Sequence, residues 1–247
     1  MLQPKKSLGQ HFLHESGIRQ RIIALLAPQP GEQILEIGPG EGALTAGLLA
    51  SFGSLEAVEV DADAVAFLQE RYPEGLQLHH TDVLSFVLSA ERQYVVVGNL
   101  PYNISSPILF WLLEQRTQLR QAVLMVQEEV ARRICSPPGE RAGGILSVLV
   151  QAYFRAEYAF RVAPGAFRPP PNVQSAVFTL ERKPQDEWPA LPFQHLKTVV
   201  KTAFGQRRKT LRNALKPLGK TVPEAFARRR AESLSLKEFI TLAEALQ

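Results

Sequence analysis

The stretch QILEIGPGEGALT, residues 33–45, joins an apolar run to three alternating glycines and the start of a helical pattern. Its first five residues predict a buried strand, and a helix is predicted over about 42–50. Gly38 and Gly40 lie between the two, where a residue without a Cβ lets the backbone turn sharply and approach a ligand. The first turn of a helix adds N–H groups without intrahelical partners. The stretch therefore predicts a nucleotide-binding turn.

Outward from this turn, β-rich runs alternate with amphipathic runs. This rhythm predicts an α/β fold, with a mostly parallel sheet and helices on both faces. The further predicted strands are 54–60, 76–80, 93–97, 122–126 and 175–181, and the further helices are 62–71, 107–114 and 128–134.

The last quarter of the chain has a different character. Residues 182–192 contain three prolines and mixed charges, which is typical of a linker between domains. We therefore predict two domains, 1–183 and 184–247. The second is expected to be small and α-helical, with helical patterns over 193–215 and 225–246.

Composition excludes several classes of protein. Of the 247 residues, 45% are hydrophobic and 21% are charged, which disfavours disorder. The apolar runs, such as 122–126 and 145–150, are far shorter than the roughly 18 residues of a membrane span. The first residues lack the apolar core of a secretory signal. The single cysteine, Cys135, gives neither a disulfide nor a metal cluster, so we expect no metal and a reducing, cytoplasmic compartment.

Charge is distributed unevenly along the chain. Residues 184–247 hold 12 Lys and Arg against 6 Asp and Glu, whereas the first 183 residues carry a net charge of −2. Such asymmetry favours a polyanionic partner. The densest basic cluster is GQRRKTLRN, where phosphate contacts are expected from Arg207, Arg208, Lys209 and Arg212.

Two carboxylates follow the next two predicted strands. Glu59 comes 21 residues after Gly38 and is able to accept both hydroxyls of a ribose, while Asp82 is a candidate for an adenine amino group. Ligands of open α/β sheets bind along this edge. The spacing from Gly38 through Gly40 to Ala43 also fits the dinucleotide pattern, so a NAD-dependent oxidoreductase stays open at this point.

The run QYVVVGNLPYNISSP, residues 93–107, predicts chemistry that an oxidoreductase does not need. The exocyclic nitrogen of adenine is a poor nucleophile, and the Asn99 side-chain carbonyl and Leu100 backbone carbonyl can orient it by accepting its N–H groups. Pro101 restricts Leu100 to an extended conformation. Tyr102 offers a flat face for a base. The run therefore favours methylation of an amino group, in which alignment does most of the catalysis.

With these residues in place, the sequence resembles the ribosomal RNA adenine N6,N6-dimethyltransferase family, in particular its bacterial small-subunit members. The matching blocks stand in family order and reach residue 215 or so. They are SLGQHFL (7–13), EIGPGEGALT (36–45), VEVD (58–61), GNLPYNISSPI (98–108), MVQEEVARRI (125–134), FRPPPNVQSAV (167–177) and AFGQRRKTLRN (203–213).

The resemblance implies S-adenosylmethionine as cofactor, bound in a Rossmann-like domain that is followed by a small helical domain. It implies that His11 and Leu13 help to close the cofactor site and that Gly38, with Gly40, lies against the cofactor. Glu59 is then expected to bind the ribose. Asp82 is expected to bind the adenine.

The resemblance also implies a site for the target base. Asn99 is expected between cofactor and base, Leu100 as the second acceptor and Tyr102 on one face of the base. Phe167, before three prolines, matches the family position for the other face, although a core phenylalanine is an equal expectation.

The implied substrate is a pair of adjacent adenosines in a hairpin loop near the 3′ end of small-subunit (16S) rRNA, within a pre-ribosomal particle. Each adenosine receives two methyl groups, and loop bases are cheaper to splay out than paired ones. We expect a monomer. The alternatives are a large-subunit rRNA adenine methyltransferase of the antibiotic-resistance type, an oxidoreductase that uses NAD, and a catalytically idle RNA-binding factor on the same fold.

Overall fold

The computed structural model describes residues 2–5, 8–140 and 143–247. The chain divides into two compact units. The first contains the residues up to Ala131 together with Glu157–Arg182, and the second contains Arg132–Ala156 together with Lys183–Gln247. Within the described ranges, none of the helices combines the length and the apolarity that a membrane span requires.

The strands and helices alternate along most of the first unit. The strands are β1 (Phe12–Leu13), β2 (Gln33–Ile37), β3 (Leu55–Glu59), β4 (Leu76–His80), β5 (Tyr94–Asn99), β6 (Leu119–Gln127), β7 (Phe154–Val162), β8 (Phe167–Arg168) and β9 (Ser175–Arg182). The helices are α1 (Ser16–Ile23), α2 (Thr45–Phe52), α3 (Ala62–Arg71), α4 (Ser105–Glu114), α5 (Glu128–Cys135), α6 (Ile145–Tyr153), α7 (Phe193–Gly205), α8 (Leu211–Ala214), α9 (Glu224–Ala227) and α10 (Leu236–Ala245).

Seven strands form one sheet in the order β4-β3-β2-β5-β6-β9-β7. The pairs β3–β4, β2–β3, β2–β5 and β5–β6 are parallel, and β9 runs antiparallel to β6. The predicted α/β, mostly parallel sheet is confirmed. Its central strands are apolar because both faces are covered: Val95, Val96 and Val97 are completely buried.

The register of the parallel strands assembles the site. Ile37 at the end of β2 pairs with Val58 of β3 and with Gly98 of β5. The next residue of each strand or loop, which is Gly38, Glu59 and Asn99 respectively, therefore lies at the same edge of the sheet.

Several predicted elements have other bounds in the structure. α2 begins at Thr45 rather than at 42, because Gly42 has a φ of +77° and belongs to the turn. α1 and the two-residue strands β1 and β8 were not predicted. Strands of two residues are too short to show an alternating pattern, and β1 and β8 pair only with each other.

The second unit is helical, but its helices are shorter than predicted. α7 ends at Gly205, so 193–215 is not one helix, and 225–246 contains the short α9 and the separate α10. Ser235 begins α10 with a capping box, in which it accepts from the Glu238 N–H and the Glu238 carboxylate accepts from the Ser235 N–H.

The division into units also differs from the predicted 1–183 and 184–247, because Arg132–Ala156 belongs with the second unit. The reason is the packing of α6. Its last residue, Tyr153, meets the rings of Trp188 and Phe193 edge-on at centroid distances of 5.2 and 5.6 Å. A domain boundary placed at the linker cannot show that an earlier segment of the chain packs with the second unit.

Candidate active site

A cavity of about 320 Å³ opens at the carboxyl ends of β2, β3 and β5. Its volume falls within the roughly 300–1,000 Å³ of small-molecule sites. The structure brings nine of the predicted site residues to its lining: His11, Leu13, Gly38, Gly40, Glu59, Asp82, Asn99, Leu100 and Tyr102.

The glycine turn forms the floor of this cavity. Gly38 has a φ of +64°, and a Cβ at this position would point into open space. Gly40 has a φ of +56°, and a Cβ there would meet the Phe12 ring at 3.0 Å. Both positions favour glycine, since other residues rarely adopt a left-handed conformation. The open space at Gly38 is room that a ligand can use.

Glu59 is buried at the end of β3, with a relative exposure of 5%. Three backbone N–H groups donate to its carboxylate: those of Gly40 at 3.0 Å, Val60 at 2.9 Å and Asp61 at 2.9 Å. The carboxylate is thereby held in one orientation against the glycine turn. The buried charge is compensated by hydrogen bonds, as such groups require.

Glu36 is a second buried carboxyl group at the cavity, which sequence reasoning missed. Its side chain accepts from the Thr45 hydroxyl at 2.6 Å. Burial raises the pKa of Glu36 to about 8; the Thr45 hydrogen bond opposes this, and the nearby Glu59 adds to it. An acidic residue inside the otherwise apolar β2 was the signal in the sequence.

Asp82 also lines the cavity and is exposed. Its carboxylate accepts from the Leu84 N–H at 2.9 Å and caps a short 3₁₀ turn. Among the described residues, no group of three His, Cys, Asp or Glu side chains could hold a metal ion.

The N-terminal segment lies along the cavity and is tied to the start of α3. Lys5 forms ion pairs with Asp61 at 2.5 Å and Asp63 at 2.7 Å, and the Gln10 amide donates to Asp61 at 3.0 Å. The hydrogen bond to Asp61 raises the pKa of Lys5. Ser7, the first residue of the SLGQHFL block, lies outside the described residues. Sequence reasoning missed Lys5 and Asp61, because no local pattern joins residues 56 positions apart.

Asn99 stands where β5 leaves the sheet. Its side-chain amide donates to the backbone carbonyl of His11 at 2.9 Å. The Leu100 N–H donates to the Met125 carbonyl at 3.0 Å, so the backbone beside Asn99 is also fixed. The Leu100 side chain is 1% exposed and anchors the turn in the core. The nitrogen end of the Asn99 amide is therefore occupied, and its oxygen is directed away from His11.

Tyr102 presents its ring to the same cavity. The ring stacks on that of His11, with 5.4 Å between centroids and 26° between planes. The tyrosine hydroxyl is 2.5 Å from the Ser175 hydroxyl, and burial raises the pKa of Tyr102. The phenol is thus held at its hydroxyl by Ser175 and along one ring face by His11.

Phe167 does not line the cavity, contrary to the expectation that its ring holds a face of the base. It is 2% exposed and belongs to the core cluster that contains Leu13, Val162 and Ala166. The cause is the pairing of β1 with β8, which sets Phe167 opposite Leu13. The structure places it in the core, the alternative that the sequence had left equally open.

The four basic residues expected at phosphates are all exposed in the second unit. Arg207 donates to the Gly143 carbonyl at 3.3 Å, and Arg212 forms an ion pair with Glu224 at 2.5 Å. Arg208 and Lys209 stand in the irregular segment between α7 and α8. Because α7 ends at Gly205, these residues do not continue the helix that carries Lys197 and Lys201.

A family model described as ribosomal RNA adenine dimethylase matches residues 1–246. The chain belongs to this family. The chain is 45% identical over 260 residues to a ribosomal RNA small subunit methyltransferase A of Porphyromonas gingivalis, covering 100% of this chain and 98% of the relative. Its identity to the Pseudomonas aeruginosa protein of the same name is 42% over 254 residues, covering 98% and 94%.

Solved structures share the fold of this rRNA adenine dimethylase. A dimethyladenosine transferase from Plasmodium falciparum superposes with a TM-score of 0.80 at 25% identity, covering 94% of this chain and 96% of that one. The 23S rRNA methyltransferase ErmE superposes with a TM-score of 0.73 at 23% identity, covering 95% and 99%, and shows the fold alone.

Proposed function

We propose that this rRNA adenine dimethylase transfers methyl groups from S-adenosylmethionine to N6 of two adjacent adenosines in a hairpin loop near the 3′ end of small-subunit (16S) rRNA. One observation carries the proposal: the Asn99 amide is bound through its nitrogen by the His11 carbonyl, inside a cavity floored by a glycine turn. An oriented acceptor beside a nucleotide-binding turn is what methylation of an adenine amine requires.

The cavity fits the proposed cofactor. Open space at Gly38 leaves room for a ligand against the backbone, and Glu59 holds a fixed carboxylate beside the turn at the position expected for a ribose. Gly38, Gly40 and Glu59 would hold the cofactor, with Asp82 at the adenine end and His11 and Leu13 closing the site. When bound, S-adenosylmethionine supplies an electrophilic methyl group.

The chain's own residues supply orientation rather than a strong base. The Asn99 side-chain oxygen and the Leu100 carbonyl accept the two N–H groups of the adenine amine and direct its lone pair into the cavity. Tyr102 contacts a face of the base through its ring. The proton leaves to solvent after the transfer, so alignment provides most of the rate enhancement.

Binding of RNA is proposed for the second unit. Arg208 and Lys209 contact phosphates, joined by Arg207 and Arg212 if their contacts to Gly143 and Glu224 exchange for phosphate oxygens. Such contacts provide affinity and orientation but no sequence readout. Base selection therefore belongs to the cavity at Asn99 and to the shape of the RNA.

The small subunit is favoured over the large one by the relatives named above, which are small-subunit methyltransferases at 42–45% identity. The ErmE likeness is a likeness of fold and supports no choice of substrate.

We further propose that the chain acts as a monomer on a pre-ribosomal particle in the cytoplasm, where such particles form. An oxidoreductase would not need the Asn99–Tyr102 run, so that alternative leaves these residues unexplained.

Two measurements test the proposal. S-adenosylhomocysteine is expected to raise the melting temperature of the chain, whereas NAD leaves it unchanged. Tritium from a labelled methyl donor is then expected in rRNA of undermethylated small subunits. Stabilisation by NAD would support the oxidoreductase alternative, and binding without any transfer of tritium would leave only an idle RNA-binding factor.

A further inference from the structure

Ser175 contacts Tyr102, the residue on whose ring the target base is proposed to stack. Its hydroxyl lies 2.5 Å from the Tyr102 hydroxyl, and its side chain is completely buried. No role has been assigned to Ser175 above. It is 73 positions from Tyr102 in the sequence. A stacking role alone would need only a phenyl ring, so a buried partner for the hydroxyl calls for a separate explanation.

The position of Ser175 is rigid. It is the first residue of β9 and pairs with Gln127 at the end of β6. The carbonyl of the preceding residue, Gln174, accepts from the Glu128 N–H at 2.9 Å. A hydroxyl on this strand end is therefore a fixed point for the tip of the Tyr102 ring.

The ring is also supported on one face. His11 stacks on it, and the His11 ring nitrogen Nδ1 lies 2.7 Å from the Pro169 carbonyl oxygen. With one face against His11 and the tip at Ser175, the ring cannot turn about its long axis or swing without breaking a contact. The proposed function assigns the opposite face to the target base.

We propose that Ser175 is a positioning residue that holds the Tyr102 ring in place and that this restraint matters most for the second methyl transfer to each adenosine. This inference rests on the proposed function. In each transfer, N6 forms a bond to the methyl carbon, the carbon–sulfur bond breaks with its electron pair going to sulfur, and one N6 proton leaves to solvent.

The two transfers place different demands on the site. An unmodified amine presents two N–H groups to the Asn99 oxygen and the Leu100 carbonyl. A monomethylated amine keeps one N–H, so one of these hydrogen bonds is lost. Orientation of the monomethylated base then depends more heavily on contact with the Tyr102 ring, and a loosened ring harms the second transfer more than the first.

The test compares Ser175→Ala with wild type on undermethylated small subunits. Products are measured as N6-monomethyladenosine and N6,N6-dimethyladenosine after digestion of the RNA. The first transfer is expected to slow by less than about threefold and the second by about tenfold, the change that one net hydrogen bond brings. Monomethyladenosine should accumulate, and kcat for the second transfer should fall more than KM for the RNA changes.

Tyr102→Phe removes the same hydrogen bond from the other side and keeps Ser175 in place. It should produce the same accumulation, and the double variant should be no worse than either single variant, because both act through one contact. Ser147→Ala is the matched control. Ser147 is also fully buried but lies in the second unit, so this variant should leave the product ratio unchanged.

The possible outcomes distinguish failure of the positioning role from failure of the proposed function. If wild type makes no dimethyladenosine, the proposed function fails. If wild type dimethylates and both Ser175→Ala and Tyr102→Phe keep its product ratio, the positioning role alone fails. If Ser175→Ala does not fold, as its thermal melt would reveal, Tyr102→Phe decides the matter by the same ratio.

Discussion

The side-chain amide of Asn99 donates to the backbone carbonyl of His11 at 2.9 Å, joining the end of β5 to the N-terminal segment. A carbonyl accepts only from the nitrogen end of an amide, so this contact determines which way the side chain faces. Asn99 lines the cavity, and its oxygen, on the other side of the amide, is the acceptor that we propose for the adenine amine. The N-terminal segment thus orients the group on which the proposed chemistry depends.

Asn99→Ala is expected to lower methyl transfer by on the order of a hundredfold or more, because the oriented acceptor is removed from the reacting nitrogen. The thermal melt and the affinity for RNA should stay close to wild type, which binding and melting measurements check. Asn103→Ala is the control, since Asn103 is exposed in the same loop and lines the cavity without a proposed role. Turnover near that of wild type in Asn99→Ala would contradict the role of Asn99.

Replacing Arg208 and Lys209 together by alanine is expected to weaken RNA binding and to flatten its dependence on salt. Each lost phosphate contact reduces the slope of log K against log salt by about 0.7–0.9. Titrations at several salt concentrations measure this slope. Lys237→Ala, which removes an exposed charge from α10, should leave it unchanged. An unaltered slope in the double variant would argue against phosphate contacts at this segment.

Arg212 should matter less than its exposed position implies. Its charge is already paired with Glu224 at 2.5 Å, so the ion pair must open before a phosphate takes its place. We expect Arg212→Ala alone to weaken RNA binding less than Arg208→Ala, by the same titrations. Glu224→Gln should strengthen RNA binding slightly at low salt, because it releases Arg212. A weaker complex in Glu224→Gln would show that the pairing supports the fold rather than competing with RNA.

Stability should depend on the ionisation of Glu36. Its pKa is about 8 in the folded chain against 4.5 for an ordinary glutamate, because it is buried. Between these two values the folded state keeps a proton that the unfolded state has lost, so the free energy of unfolding falls as pH rises from about 4.5 to 8. Each pKa unit corresponds to about 1.4 kcal/mol.

Glu36→Gln removes this titration and should be more stable than wild type at pH 8, by on the order of a few kcal/mol. The advantage should shrink as the pH approaches 4.5. Denaturant unfolding at a series of pH values measures it. Glu70→Gln, which changes an exposed carboxylate on α3, is the control and should track wild type. A stability difference independent of pH would mean that Glu36 is not the titrating group.

The parallel core and the site along its edge could be predicted because local patterns encode them. Apolar runs with β-branched residues predict β2 and β5, and the residues that follow them fall together by the register of a parallel sheet. Glu59 and Asn99 therefore both line the cavity. Their hydrogen-bond partners could not be predicted, because Gly40 and His11 approach them through tertiary contacts.

The features that local patterns missed or left undecided depend on long-range packing. Phe167 is an aromatic residue in a family motif, and only the pairing of β8 with β1 reveals that it is buried. Residues 206–210 continue a basic, helix-compatible run, yet the helix ends at Gly205. Arg132–Ala156 joins the second unit because Tyr153 packs on Trp188 within the linker and on Phe193 beyond it.

The most direct test of the account is to incubate the chain with undermethylated small ribosomal subunits and a labelled methyl donor, and then to map the modified nucleotides by primer extension. Dimethylation of N6 blocks base pairing, so reverse transcription stops at each product. We expect stops at two adjacent adenosines in a hairpin loop near the 3′ end of the small-subunit rRNA, and we expect these stops to be lost in Asn99→Ala. Stops elsewhere in the small-subunit rRNA, or label at a position other than N6 of adenosine, would contradict it.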